Sequence, residues 1–354
     1  MTRLRELGIS IGRLPTGAFN AITDVDGVLV GHTTVIADQP ATVRTGVTMI
    51  VPRHNQIWAD YAFCGWHSFN GNGEMTGIPW IEESGLLGSP VGITNTYQVG
   101  LVRDSVVRYA VEGGMEDAFH LPVVAETDDS WLSDVNPFVL TEADVRSAIA
   151  SAAGGEVAEG NVGGGTGMIC HEFKGGIGTS SRVVDLAMHT YTVGVLVQAN
   201  YGSRQDLRID GVPVGRAISY DRVPAPWPTH ERDGSIIVVV ATDAPLLSDQ
   251  CRRLARRATV GLARVGGDGH NGSGDIFFSF ATGNSLPAGQ AAPYALRMLP
   301  QGMLDNLFRA VADATEEAIL NALCAAETMT GFRGRTAHAL PLDQVVEIVG
   351  RHRG

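Results

Sequence analysis

Short all-apolar runs bounded by turn formers alternate along this chain with stretches whose apolar positions recur every three or four residues, which predicts strands and helices in alternation. The clearest run is 235–242, where five consecutive β-branched residues, Ile236, Ile237, Val238, Val239 and Val240, predict a strand buried on both faces with Ser235 as its first residue. Residues 45–51, 89–96, 121–125, 192–198 and 276–280 read as further strands, and 21–35 as a hairpin or two strands. Helical spacing covers 99–112, and 141–153 with Thr141 at its start, Glu142 in its first turn, and Asp144 and Arg146 on the wet face. It also covers 248–264, with Leu254, Ala255, Ala258 and Leu262 opposite Arg252, Arg253, Arg256 and Arg257. A last, alanine-rich helix over 304–328 should be largely buried. Together these predict an α/β or α+β fold with helical layers over sheets.

Between the elements, residues 67–77 read as a polar, glycine-broken loop leading into a helix near Trp80. Such a loop suits either a site lining or a plain connection. Residues 160–178 are the richest in glycine, yet they lack a GK[ST] ending and a following helix with a ribose-binding acid. Turns and bulges are therefore expected there rather than a phosphate loop. The strand at 121–125 ends in Glu126, Thr127, Asp128 and Asp129, where acids commonly face a pocket.

Composition narrows the function classes. The 354 residues, 44% apolar and 18% charged, describe a soluble globular chain. A net charge of -12 disfavours nucleic acid or an anionic membrane as partner and points to small molecules. The arginine-rich face at 252–257 is then expected to be a solvated face or an ion-paired subunit contact. Cys64, Cys170, Cys251 and Cys324 have no CxxC or metal spacing and should be reduced and buried. The scattered histidines imply no metal site, and no motif calls for a cofactor. With no apolar run of signal or membrane-span length, the cytoplasm is the expected location.

The sharpest chemical signal is the joint Gly234-Ser235. Upstream, Pro224, Pro226 and Pro228 forbid regular structure, and Glu231, Arg232 and Asp233 keep the segment wet, so an exposed, cuttable loop is expected to end abruptly in a buried strand. If the Ser235 hydroxyl attacks the Gly234 carbonyl and the ester is hydrolysed, Ser235 becomes a new N-terminus carrying nucleophile and α-amine together. A free α-amine, with a pKa of about 8, can accept the hydroxyl proton. Glycine before the serine would permit strained dihedrals. An ordinary loop-to-strand joint with a capping serine fits the same residues. Asn200, at the end of the strand over 192–198, is placed to donate its amide to an oxyanion.

GNGEMTG, VVAET, VGVLVQANYG, DGSIIVVVATDAPL, RRLARRATVGLARVG and NGSGD, in this order along nearly the whole chain, resemble the L-aminopeptidase/D-esterase family, which includes β-peptidyl aminopeptidases. The resemblance implies a four-layer α-β-β-α sandwich, self-cleavage into chains 1–234 and 235–354, and a homo-oligomer. It implies Ser235 as nucleophile, Asn200 as oxyanion donor, Ser273 and Asp275 as the pair orienting the nucleophile and its amine, and Glu126 as the acid holding the substrate's amino group. A carboxylate suits that last role through charge-assisted hydrogen bonds. Asp128 departs from the family's usual aromatic residue at that position, and two carboxylates would then face the amine. The expected activity is release of small N-terminal residues from short peptides, amino-acid amides and esters. Acyl transfer, hydrolysis of a specialised-metabolite amide, and an uncleaved small-molecule binding protein are the alternatives.

Overall fold

The computed structural model describes residues 2–116, 118–186, 188–227 and 234–353, so Pro228 and the acidic and basic residues 231–233 of the expected loop lie outside the described residues. Fourteen strands are described: β1 (Leu29–Ala37), β2 (Val43–Val51), β3 (Asp60–Gly71), β4 (Leu86–Leu87), β5 (Val91–Asn95), β6 (Val123–Thr127), β7 (Ile169–Cys170), β8 (Phe173–Lys174), β9 (Gly176–Leu186), β10 (His189–Asn200), β11 (Ser235–Thr242), β12 (Gly274–Pro287), β13 (Met329–Thr330) and β14 (Thr336–Ala337). The helices are α1 (Ile78–Ser84), α2 (Val99–Ala110), α3 (Glu142–Ala150), α4 (Val214–Ala217), α5 (Ser248–Ala255), α6 (Ala258–Val265), α7 (Leu304–Ala325) and α8 (Leu342–Arg353).

Alternation along β11 sets the layering, because successive side chains of a strand leave on opposite faces. Ile236, Val238 and Val240 pack with Leu254 of α5, Leu262 of α6, and Leu307 and Val311 of α7. Ile237, Val239 and Ala241 face the other way, onto Ile50, Ile93 and Ala125 of a second sheet. That sheet's far side, Val47, Met49, Val51 and Val124, is covered by Val102 and Val106 of α2 and Val145 and Ile149 of α3. The result is helices, sheet, sheet, helices. The first sheet runs β4-β3-β12-β11-β10-β9 and the second β1-β2-β5-β6. Each fully buried Val or Ile contributes about 1.5–3 kcal/mol, so β11, buried throughout, is the strand both cores depend on.

Three local expectations are corrected. Residues 21–35 hold one strand start, at Leu29, after a short 3-10 turn over Ile22–Asp24. The hairpin partner of β1 is β2. His67 to Gly71 are strand, not loop, because they pair with β12, and ladder hydrogen bonds override their turn chemistry. The helix expected over 248–264 is two, parted at Arg256 and Arg257, which lets α5 lie on β3 while α6 packs on α7. Its arginines meet groups of the same chain. Arg252 pairs with Glu82 at 3.5 Å, the Arg257 guanidinium sits 4.1 Å over the Phe308 ring, and Arg264 reaches Asp313 at 2.7 Å. All four cysteines are free and buried.

The N-terminal segment is pinned by a buried ion cluster. Glu317 of α7 accepts from Arg5 at 2.7 Å, from Arg182 of β9 at 2.6 Å and from the Asn20 amide at 2.6 Å, with Arg182 and Glu317 both fully buried. Burial pushes the Glu317 carboxyl up, but the bonds and charges of its cationic partners outweigh it and hold the group below the ordinary carboxylate range.

Candidate active site

The strand order brings the sequence-predicted residues to one end of the two sheets. β11 and β12 run parallel with Ser235 opposite Gly274, and on the other side the antiparallel β10 ends with Asn200 opposite Ser235. From the second sheet β6 contributes Glu126, parallel to Thr94 of β5. Together they border an open cleft of about 600 Å³ whose walls include Glu74, Tyr97, Glu126, Asp128, Asn200 and Ser235.

Ser235 is buried, and its Oγ donates to the Gly234 carbonyl oxygen at 2.8 Å, across the bond expected to be cut. The Gly274 N–H bridges the two, 3.2 Å from Ser235 Oγ and 3.2 Å from Gly234 O. A backbone donor on that carbonyl is where negative charge would develop if Oγ attacked it. The glycine at 234 has a steric reason, since a Cβ there would lie 2.2 Å from Asn200 O and 2.6 Å from Tyr201 Cα. Gly274 is crowded likewise, its Cβ falling 2.5 Å from Asn72 O.

Ser273 Oγ donates to Asp275 Oδ1 at 2.7 Å, and both side chains are buried. Burial pushes the Asp275 carboxyl up to about 6. The Ser273 hydroxyl, the charge of His270 and the Ile236 N–H pull the other way. The loop carrying these residues is fixed from β3 and the segment after it, for Asn70 Nδ2 donates to His270 O, Asn72 Nδ2 to Gly272 O at 2.7 Å, and Asn72 N to Ser273 O at 3.1 Å.

Asn200 is oriented through both ends of its amide. Oδ1 accepts from Ile169 N at 2.8 Å, and Nδ2 donates to the Asp128 carbonyl at 3.0 Å. One of its two N–H bonds is thus engaged with the backbone at the cleft wall. Glu126 accepts from Glu74 N at 2.9 Å through Oε1 and from Thr96 Oγ1 through Oε2. Burial raises its carboxyl above the ordinary range, partly offset by those two bonds and reinforced by the charges of Asp128 and Glu74. Asp128 lines the same cleft and also closes the following turn, accepting from Ser130 N at 2.9 Å and from Ser130 Oγ at 2.8 Å. Its carboxylate therefore both borders the cleft and closes the turn.

Sequence reasoning missed Thr96, Asn70, Asn72 and the backbone donors at 74 and 274. Only the GNGEMTG loop, flagged as a possible lining, carried a signal for any of them. Upstream of the joint, Asp221, Arg222 and Pro224 are exposed as expected, but Val223 and Pro226 are buried, and Trp227 packs edge-on against Trp131 with ring centroids 5.8 Å apart. Among the described residues no cluster of His, Cys, Asp or Glu is arranged to hold a metal ion, and no helix is long and apolar enough to cross a membrane.

The chain is 45% identical to Beta-peptidyl aminopeptidase BapA of Sphingosinicella microcystinivorans, covering 99% of this chain and 92% of the relative. Among solved structures it is similar to a Burkholderia sp. beta-aminopeptidase, with a TM-score of 0.93 at 47% identity over 99% of both chains. It is equally similar to the l-aminopeptidase d-ala-esterase/amidase of Ochrobactrum anthropi, a prototype for the serine aminopeptidases and a variant among the Ntn hydrolase fold. There the TM-score is 0.94 at 43% identity, covering 100% of this chain and 99% of that one. The match to the family described as Peptidase family S58 extends over residues 20–337, and the chain belongs to that family.

Proposed function

We propose that this protein is a serine aminopeptidase that cuts itself between Gly234 and Ser235 and then removes small N-terminal residues, β-amino acids included, from short peptides, amides and esters. The observation that carries the reading is Ser235 Oγ 2.8 Å from the Gly234 carbonyl oxygen, with the Gly274 N–H on both atoms, beside a buried carboxylate. In the first reaction Oγ adds to the Gly234 carbonyl carbon, the C–N bond breaks, and the nitrogen takes up the hydroxyl proton. Water then hydrolyses the ester, leaving a Gly234 carboxylate and a free Ser235 amine. In turnover that amine accepts the Oγ proton as the oxygen attacks the substrate carbonyl, and returns it to the departing amine as the C–N bond breaks; water then hydrolyses the aminoacyl ester on Ser235, releasing the acid and restoring the hydroxyl. Ser273 and Asp275 orient the pair, and the Asn200 amide and Gly274 N–H stabilise the oxyanion. Glu126 holds the substrate ammonium with a charge-assisted bond. The names of the relatives support β-aminoacyl and L- or D-aminoacyl substrates.

Intact-mass analysis should find two chains, 1–234 and 235–354, while Ser235→Ala should give one chain with no turnover of alanyl or β-alanyl p-nitroanilide. An uncut protein with aminopeptidase activity would sink the reading. Phe119, 88% exposed, and Trp80, half exposed beside an apolar cavity, support a homo-oligomer held through apolar contacts, which sedimentation would test.

A further inference from the structure

Behind the cleft lies a cation that the proposed chemistry does not use. Lys174 of β8 is fully buried, and its Nζ donates to three backbone carbonyls, Met168 O at 2.8 Å, Gly175 O at 2.8 Å and Gly165 O at 3.3 Å. Three N–H bonds meet three acceptors, and no described carboxylate pairs with it. Its ionisable neighbour Cys170 is a thiol whose pKa burial pushes up to about 12, so it offers no counter-charge. Burial also lowers the Lys174 ammonium itself to about 7. Burying a charge on these terms is costly, and tightening a two-residue hairpin does not call for it, since apolar packing does that as well or better.

The three carbonyls have one thing in common. All belong to residues 165–175, the segment that contains Ile169, and Ile169 lies opposite Lys174 in the β7–β8 hairpin. The Ile169 N–H is the donor that fixes Asn200 Oδ1. An asparagine amide is nearly symmetric in shape, and only its hydrogen-bond partners decide which end faces a site. With Ile169 in place, Nδ2 points to the Asp128 carbonyl and the cleft. Reversed, the same side chain would present an oxygen to a developing oxyanion and repel it.

We propose that Lys174 is a positioning residue for catalysis: its ammonium gathers the carbonyls of residues 165–175 so that the Ile169 N–H holds the Asn200 amide with its donor end toward the reacting oxygen. This rests on Asn200 serving as oxyanion donor. The ammonium is thus exchanged for a fixed amide orientation, which stabilises the transition state more than the bound substrate.

The test is a double-mutant cycle with Lys174→Met, Asn200→Ala and the double variant in the full-length, self-processed protein. β-Alanyl p-nitroanilide is the probe, and rates are taken per processed subunit. Lys174→Met should lower kcat roughly tenfold or more with KM within about threefold, and the double variant should resemble Asn200→Ala, because both changes remove one interaction. Lys174→Gln, which keeps two N–H donors, should fall between. Unchanged kcat in Lys174→Met would overturn the proposal, as would a Lys174 effect that persists undiminished when Asn200 is already alanine. Failure of both Lys174 variants to fold while Asn200→Ala folds would assign Lys174 to stability alone and also overturn it. An Asn200→Ala enzyme of normal rate would remove the oxyanion reading and this inference together, whereas a slow Asn200→Ala beside a normal Lys174→Met would remove this inference only.

Discussion

Two buried glutamates in this molecule have opposite surroundings. Glu317 is met by two arginines and an amide, and its carboxyl is held below the ordinary range. Glu126 is met by a backbone N–H and a threonine hydroxyl, with Glu74 and Asp128 close by, and its carboxyl is raised. The first has its positive partners built in and needs nothing further. The second meets no cation among the described residues of the cleft, and under the proposed function a substrate ammonium would supply one. Burial alone therefore does not separate structural from functional charge, whereas the balance of partners does.

The comparison breaks most sharply by exchange. Glu126→Gln should lower kcat/KM roughly a hundredfold or more with little change in Tm, since a neutral amide of the same shape keeps the packing and loses the charge-assisted bond. Glu317→Gln should do the reverse. Leaving Arg182 buried without its counter-ion should cost about 3–5 kcal/mol in denaturant melts, while turnover per folded subunit stays normal. If Glu126→Gln instead unfolds the protein and leaves its kcat/KM intact, the contrast fails.

A third carboxylate sharpens the picture through pH. Asp275 is raised from 3.8 to about 6, so in the folded chain it is held protonated below that pH. For an acid shifted upward, the stability contributed by this group is present at low pH and is lost as pH rises from 3.8 through about 6. The proposed self-cleavage, in which ionised Asp275 would orient Ser273 and the nucleophile, should speed up across the same window. Refolding the uncut precursor, recovered unfolded, from denaturant at pH 5 to 7.5 and following the appearance of the two pieces would measure this. Asp275→Asn should cleave slowly and without the step near pH 6. A rate independent of pH in the unmodified chain would show Asp275 to be structural.

The smallest effect concerns Asp128, which divides its carboxylate between the cleft and the turn at Ser130. Asp128→Tyr should lower the ratio of kcat/KM for lysyl over alanyl amides a few-fold at low salt and less at moderate salt, as expected for a partly exposed charge. An unchanged ratio at both salts would leave Asp128 with the turn alone.

What the sequence made legible follows where one local force dominates. β11 was readable to the residue because an unbroken β-branched run has no alternative use, and Ser235 came with it as the strand's first residue. Glu126 was found as an acid at a strand end. The polar stretch 67–71 read as loop because its strand character comes entirely from pairing with β12, a partner some two hundred positions away, which local propensity does not encode. The break at Arg256 and Arg257 was hidden for a similar reason. The apolar spacing runs on across it, and only the separate seats of α5 and α6 on β3 and α7 require it. Asn200 was found as an amide at a strand end and Asp275 came from family resemblance, while Thr96 and the Gly274 N–H act through geometry that no spacing announces.

The joint before β11 also bears on how the protein ages. β11 is hydrogen-bonded to β10 on one side and β12 on the other, so the proposed cut at its first residue would separate the chain into pieces that share the middle of one sheet. Before the cut, folding is a reaction of one molecule, at a rate independent of concentration. After it, the same native state can be regained from denaturant only by collision of two strangers, slowed by dilution and open to mispairing between pieces. The uncut Ser235→Ala chain should therefore renature at nanomolar concentration, where the processed protein does not. The mature enzyme would be metastable in a practical sense, secured by its rate of unfolding rather than by its ability to fold again.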